Sequence, residues 1–332
     1  MSEANFIIFI AAVILSYVYA FVGGFTDSAN AIATSVGSRV LSPLQAVGLA
    51  SIFELIGALT GTAVALTIGK GIVHPESISL LTVPAAVMGC MTWSLFTYYF
   101  GIPVSETHGL IGGVVGAAIA TAGVGVIMWT GLTKILVAMI FSPVLGFIAG
   151  WLVMVLVVRL SRGGTRAFLT PLFTNLQRLS AMFMAFSHGR NDAQKPMGIL
   201  AMTLAIYYGW SEVHVPLWVI FSCAALASLG MFSGGWRIIR TLGLKLTRLR
   251  PVEGFSAETS AAAALQLASV LGIPVSTTHT ITSSIVGVGS SRGLSRVRWG
   301  IAREIVASWV LTLPATIILG GLYLIVLRAI FT

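Results

Sequence analysis

The chain has 332 residues, 57% of them in the set AVILMFWYC and only 9% charged, with a formal net charge of +9 and a mean hydropathy of +0.97. Charged residues make up roughly a quarter of an ordinary soluble domain, so that class is excluded. Apolar stretches long enough to cross a bilayer recur from Phe6 to Phe331, which makes lipid the solvent of nearly the whole chain. Nucleic acid is excluded as a partner by the placement of the positive charge. Of the 19 Lys and Arg, 13 fall within 159–178, 237–250 and 292–303, as in the cytoplasmic loops of a multi-pass protein.

In chain order, the first half predicts helices over 6–22, 28–41, 43–69, 80–100, 104–120 and 133–158. The second half predicts them over 172–187, 196–209, 215–236, 255–272, 275–290 and 299–330. The sum is an all-α polytopic membrane protein of about 12 helical segments. The first apolar run lacks a basic region before it and a small-residue cleavage site after it, so it reads as a retained helix. Cys90 and Cys223 lie inside apolar runs and read as packing residues, not a disulfide.

The segments match because the chain repeats itself. Gly24-Phe25-Thr26-Asp27 is echoed by Gly189-Arg190-Asn191-Asp192, and Ile102-Pro103-Val104-Ser105-Glu106-Thr107-His108 by Ile273-Pro274-Val275-Ser276-Thr277-Thr278-His279. Asp27 to Asp192 is 165 residues and Ile102 to Ile273 is 171, both close to half the chain. The expected units are 1–158 and 172–332, joined by a short basic linker at 159–171. With the basic stretches cytoplasmic, each unit makes an odd number of net crossings. The second unit then runs upside down relative to the first, with both termini outside, as in the inverted repeats of secondary transporters.

Two motifs carry candidate chemistry. In the first, each half is expected to stop a helix at glycine, place an aspartate beside amides and hydroxyls, and restart. Broken helices free backbone groups that can ligate ions where they line a cavity. Asp27 and Asp192, with Asn30, Asn191 and Gln194, are candidate oxygen ligands for a small cation; capping of the restarting helix is the other role open to each aspartate. In the second motif, proline pre-sets a helical turn and the following Ser and Thr offer hydroxyls at a helix N-terminus, where an anion is favoured. His108 and His279 occupy matching places and could bond a ligand, relay protons or orient the Ser/Thr loops. Lys195 takes the place of Asn30 in the second copy, where it could pair with Asp192 or attract an anion, and His188 flanks the same motif. Glu54, Glu106 and Glu258 lie in apolar segments and are functional candidates by default. No ATP-binding or common hydrolase motif is present, which disfavours an enzyme.

Together the paired motifs, with the second reading His-Gly-Arg-Asn-Asp-Ala-Gln-Lys-Pro-Met-Gly, resemble the inorganic phosphate transporter family over roughly residues 20–330. The resemblance implies sodium- or proton-coupled phosphate uptake, with sulfate carried by some members, and an inverted-repeat fold. It implies that Ser105, Thr107, Ser276, Thr277 and Asn191 hold phosphate and that Asp27, Asn30, Asp192 and Gln194 bind sodium. Thr26, Glu54, Glu258, His108, His279 and Lys195 are secondary candidates; Thr26 departs from the asparagine usual in the family. No cofactor beyond coupling sodium is implied, a homodimer is compatible, and the short linker favours a prokaryotic inner-membrane protein. An inside-negative potential of 100 mV opposes entry of a phosphate dianion by about 4.6 kcal/mol, from roughly 2.3 per charge, so at least two cations are expected to accompany it. The expected function is sodium-coupled phosphate import by alternating access, with proton coupling or sulfate transport as the alternatives.

Overall fold

The computed structural model describes residues 3–331, which are all-α apart from two isolated bridges. The expectation that both termini lie outside falls on Met1, Ser2 and Thr332, beyond the described residues. The first half comprises α1 (Glu3–Gly37), α2 (Pro43–Ala58), α3 (Ala63–Gly71), α4 (Thr82–Phe100), α5 (Glu106–Ala122) and α6 (Trp129–Leu160). The second comprises α7 (Arg166–Asp192), α8 (Gln194–Tyr208), α9 (Leu217–Ser233), α10 (Trp236–Arg240, continued by a π turn to Lys245), α11 (Pro251–Val270), α12 (Thr277–Ser291) and α13 (Trp299–Phe331).

Several expected boundaries are corrected, and in the second half the helix expected over 172–187 runs on through Gly189 to Asp192 as α7. Helices 6–22 and 28–41 are one continuous helix, α1, which runs through Gly23, Gly24 and Asp27. Its glycine serves close approach instead of a break: a Cβ on Gly24 would lie 2.1 Å from the carbonyl oxygen of Ala227 on α9. The breaks fall in the segments expected to be long. The 43–69 segment divides into α2 and α3, bent by 69°, and the 215–236 segment continues past Ser233 into α10 with a bend of 55°. Gly234, at φ +70°, supplies the second corner at no Cβ cost.

Packing partners are exchanged between the halves. α5 packs on α13 and α12 on α6; α1 packs on α9 and α7 on α2. The bridges stay within each half, Val73 with Ile127 and Thr247 with Val297, each tying the end of a broken helix to the start of a long one. The glycine pairs are matched too. Cβ atoms on Gly112 and Gly116 of α5 would collide with Thr316 and Ile317 of α13, and those on Gly146 and Gly150 of α6 with Thr280 and Ser284 of α12. Backbones meet there because no side chain stands between them.

Three helices, α1, α6 and α13, are long and apolar enough to cross a membrane, or up to five spans if each bent pair counts as one. Their outer faces carry exposed Phe6, Ile14, Phe141, Leu145, Ile148, Val310, Ile318 and Ile325, while Asp27, Asn30, Glu54, Glu106, Asp192, Lys195 and Glu258 are buried. Apolar outside and polar inside is the distribution that lipid demands. Arginines from all three basic stretches meet on one face. Arg162, Arg166, Arg250 and Arg292 line a cavity of about 820 Å³, and Arg166, Arg248, Arg250, Arg292 and Arg296 line a second of about 390 Å³.

Candidate functional site

Ser105 and Ser276 cap α5 and α12, accepting from the backbone N–H of His108 and His279 at 3.2 and 3.1 Å. The two capped ends then meet. Thr107 donates to the carbonyl of Val275 at 3.0 Å, and Thr278 donates to the carbonyl of Val104 at 2.9 Å. Each half-helix is therefore fastened to the loop that starts the other. His108 and His279 face one another with ring centroids 4.5 Å apart, and His279 also lies 3.9 Å from Trp309. That places them at the contact of the halves.

Against these ends lie the aspartates. Asp27 Oδ1 accepts from Asn30 at 3.0 Å and from Thr278 at 3.3 Å, and Asn30 also reaches Thr277 and Thr278 at 3.3 and 2.9 Å. Asp27 Oδ2 is buried and accepts no hydrogen bond among the described residues. Asp192 differs: its Oδ2 receives Thr277 Oγ1 at 2.9 Å, Lys195 Nζ at 2.9 Å and lies 3.3 Å from His188 Nε2. Lys195 Nζ is also 3.6 Å from Asp27 Oδ2. One ligand atom from each of Asp27, His188 and Asp192 fits within 4.8 Å of the others. Glu54 holds the far side of the His188 ring through Nδ1 at 2.7 Å, and Glu106 accepts from Thr26 at 2.7 Å. The cavity bordered by Asp27, Glu54, Glu106, His188, Asp192 and Lys195 has a volume of about 10 Å³. That is room for about one water, so the site is closed to anything larger in this conformation.

Not every expected residue joins this cluster. Gln194 is committed elsewhere: its carbonyl accepts from the N–H groups of Val64 and Ala65 at 2.8 and 3.1 Å, and its amide donates to the Arg190 carbonyl at 2.5 Å. It closes the exposed start of α3, where Thr62 makes no side-chain cap. Gln194→Ala is expected to cost about 1–3 kcal/mol by leaving those donors unmet, seen as a lower melting temperature and faster hydrogen exchange at Val64 and Ala65. Unchanged exchange at those amides would refute the assignment. Asn191 lies within hydrogen-bond distance of Ser269 Oγ (3.2 Å), Val275 O (3.3 Å) and Asp192 Oδ1 (3.2 Å), so it braces the second loop. Glu258 is bound by Thr34 at 2.6 Å, Gln177 at 3.3 Å and Ser180, which joins α1, α7 and α11 away from the aspartates. Thr278 was outside the expected sets, while His188 and Glu106 were singled out without a partner or a role. Thr278 was legible as the partner of Thr107 in the repeat. His188 and Glu106 break the repeat: His188 meets Asp192 four residues on along α7, a spacing open to sequence reading, whereas Glu106 meets Thr26 across 80 residues.

The sequence pattern of the Phosphate transporter family matches residues 23–169 and again 162–320. The chain belongs to this family. A probable low-affinity inorganic phosphate transporter of Rhizobium meliloti (strain 1021) is 44% identical over 319 residues, 96% of this chain and 96% of that protein. One of Bacillus subtilis (strain 168) carrying the same description is 40% identical over 328 residues, 98% of each chain. Among solved structures, a protein described as the sodium-dependent phosphate transporter superposes with a TM-score of 0.88 at 27% identity, covering 97% of this chain and 99% of that one. The relatives of this family member are transporters and permeases, not enzymes, and it is a multi-pass membrane protein like them.

Proposed function

We propose that the chain imports inorganic phosphate together with sodium across the inner membrane, by alternating access between two inverted units at 1–158 and 172–332 joined through 159–171. The observation that carries this reading is the cluster around Asp27: a buried carboxylate with an open oxygen, flanked by Asn30, Thr277 and Thr278. Neutral oxygens around one anionic oxygen suit a small hard cation. A sodium there places positive charge beside the joined ends of α5 and α12, whose N–H groups and hydroxyls favour an anion. Phosphate is then held by Ser105, Thr107, Ser276, Thr277 and Asn191 once the closed cavity opens. The structural neighbour described as sodium-dependent supports the choice of ion. The arginine-lined face is cytoplasmic in this orientation.

Purified protein in sealed vesicles tests the reading. An inward sodium gradient at equal pH is expected to drive uptake of labelled phosphate above equilibrium, with excess sulfate leaving it unchanged. Accumulation driven by a pH gradient with sodium absent would assign proton coupling instead, and inhibition by sulfate would assign a broader oxyanion site.

A further inference from the structure

The two halves of the site are not equivalent. Aligning the repeats places Asp27 with Asp192, Thr107 with Thr278, Asn30 with Lys195, and Thr277 with Glu106. The first two pairs preserve chemistry; the last two exchange a neutral group for a charge, and the two charges are opposite. Both charged members border the one small cavity between the aspartates.

Lys195 is 3% exposed, on the first turn of α8. Its ammonium lies 2.9 Å from Asp192 and 3.6 Å from Asp27. Asp192 Oδ2, which by symmetry would face a second sodium, instead takes donors from Lys195 and Thr277, with His188 Nε2 3.3 Å away. Asp27 Oδ2 has no donor within hydrogen-bond reach. An ammonium is a compact unit charge on a flexible stem. A sodium at Asp192 Oδ2 would have to displace this ammonium from direct contact, whereas Asp27 Oδ2, 3.6 Å from it and without a hydrogen-bond donor, keeps a side open to an ion.

We infer that the Lys195 ammonium is a built-in cation standing where a second sodium would bind, so that one sodium accompanies each phosphate, carried as the monoanion, in place of the two or more cations expected for a dianion. The inference rests on the sodium-coupled reading above. Asn30 leaves the Asp27 side open for an ion, while Lys195 fills the Asp192 side with a charge that never leaves the protein. Because the ammonium returns with the protein in each cycle, it neutralises the site locally but moves no net charge and draws on no gradient. A tenfold sodium gradient then supports about a tenfold gradient of the phosphate monoanion, where two sodiums would support about a hundredfold.

The test is the ratio of labelled sodium to labelled phosphate entering vesicles, with equilibrium binding of labelled sodium to purified protein as a measurement that needs no turnover. Wild type is expected to bind one sodium per chain and to move one per phosphate, with a sodium dependence of Hill coefficient near one. Lys195→Asn, which rebuilds the Asn30 arrangement on the other side, is expected to bind two and, if it turns over, to raise the flux ratio to two. Two sodiums bound by wild type, or one still bound by Lys195→Asn in a folded preparation, would overturn the inference and leave sodium coupling intact. Phosphate uptake by wild type without any sodium dependence overturns sodium coupling itself, and the inference with it.

Discussion

Asp27→Asn and Asp192→Asn both remove sodium-driven phosphate accumulation, but only the second also loosens the fold. Losing the Asp27 charge forfeits the attraction that holds the ion, a fall on the order of a hundredfold or more in uptake. It leaves the Lys195–Asp192 pair in place at 2.9 Å, so the melting temperature stays near that of wild type. Asp192→Asn removes the nearer partner of Lys195 and the carboxylate beside His188. Breaking a buried pair from one side costs about 3–5 kcal/mol, enough for a clear drop in thermal stability in detergent. Uptake assays and melting curves on the two variants separate the roles. Wild-type accumulation by either variant, or equal melting of both, would show that the two aspartates do not divide the work in this way.

Gly189→Val is expected to prevent folding, and Gly189→Ala to destabilise more than ordinary overpacking, which costs roughly 1–3 kcal/mol. A Cβ at Gly189 would stand 2.1 Å from the carbonyl oxygen of Glu54, and one at Gly57 would stand 2.0 Å from that of Phe186. Neither obstacle is a side chain that could swing aside, so α2 and α7 must part. Parting them pulls Glu54 from His188, whose 2.7 Å bond spans the same contact, and His188 then loses its fixed aim at Asp192. Loss of the monodisperse peak on size-exclusion chromatography reads out the valine variant, and melting with sodium-driven uptake reads out the alanine one. A Gly189→Ala protein that melts and transports like wild type would show that this contact has slack.

The parts legible in the sequence were those specified by local chemistry and copied twice. The turn at Ile102–Ser105 and its copy predicted short helices over 104–120 and 275–290, and α5 and α12 occupy 106–122 and 277–291 with the expected serines as caps. The threonine and aspartate clusters were likewise found by matching the halves. Glycine was read less well, because it signals a break and a close approach with the same letter. Gly23-Gly24 looked like a stop and is a smooth stretch of helix against α9, whereas Thr60-Gly61-Thr62 and Gly234-Gly235, read as interior to long helices, are where the bends between α2 and α3 and between α9 and α10 fall. Gln194 shows the same limit for side chains. Its neighbours in sequence pointed to the aspartates, but the start of α3, brought beside it from 130 residues away, takes its amide.

The crossed bonds of Thr107 with Val275 and Thr278 with Val104 bear on direction. Each half is bolted by a hydroxyl from one side and a carbonyl from the other, and the two bolts are alike in kind and length. Whichever mouth opens, the same type of fastening yields, so this junction contains no ratchet that prefers entry to exit. Under the proposed function, net import would be imposed from outside by the ion gradient, and a loaded vesicle whose gradient is reversed should empty through the same door.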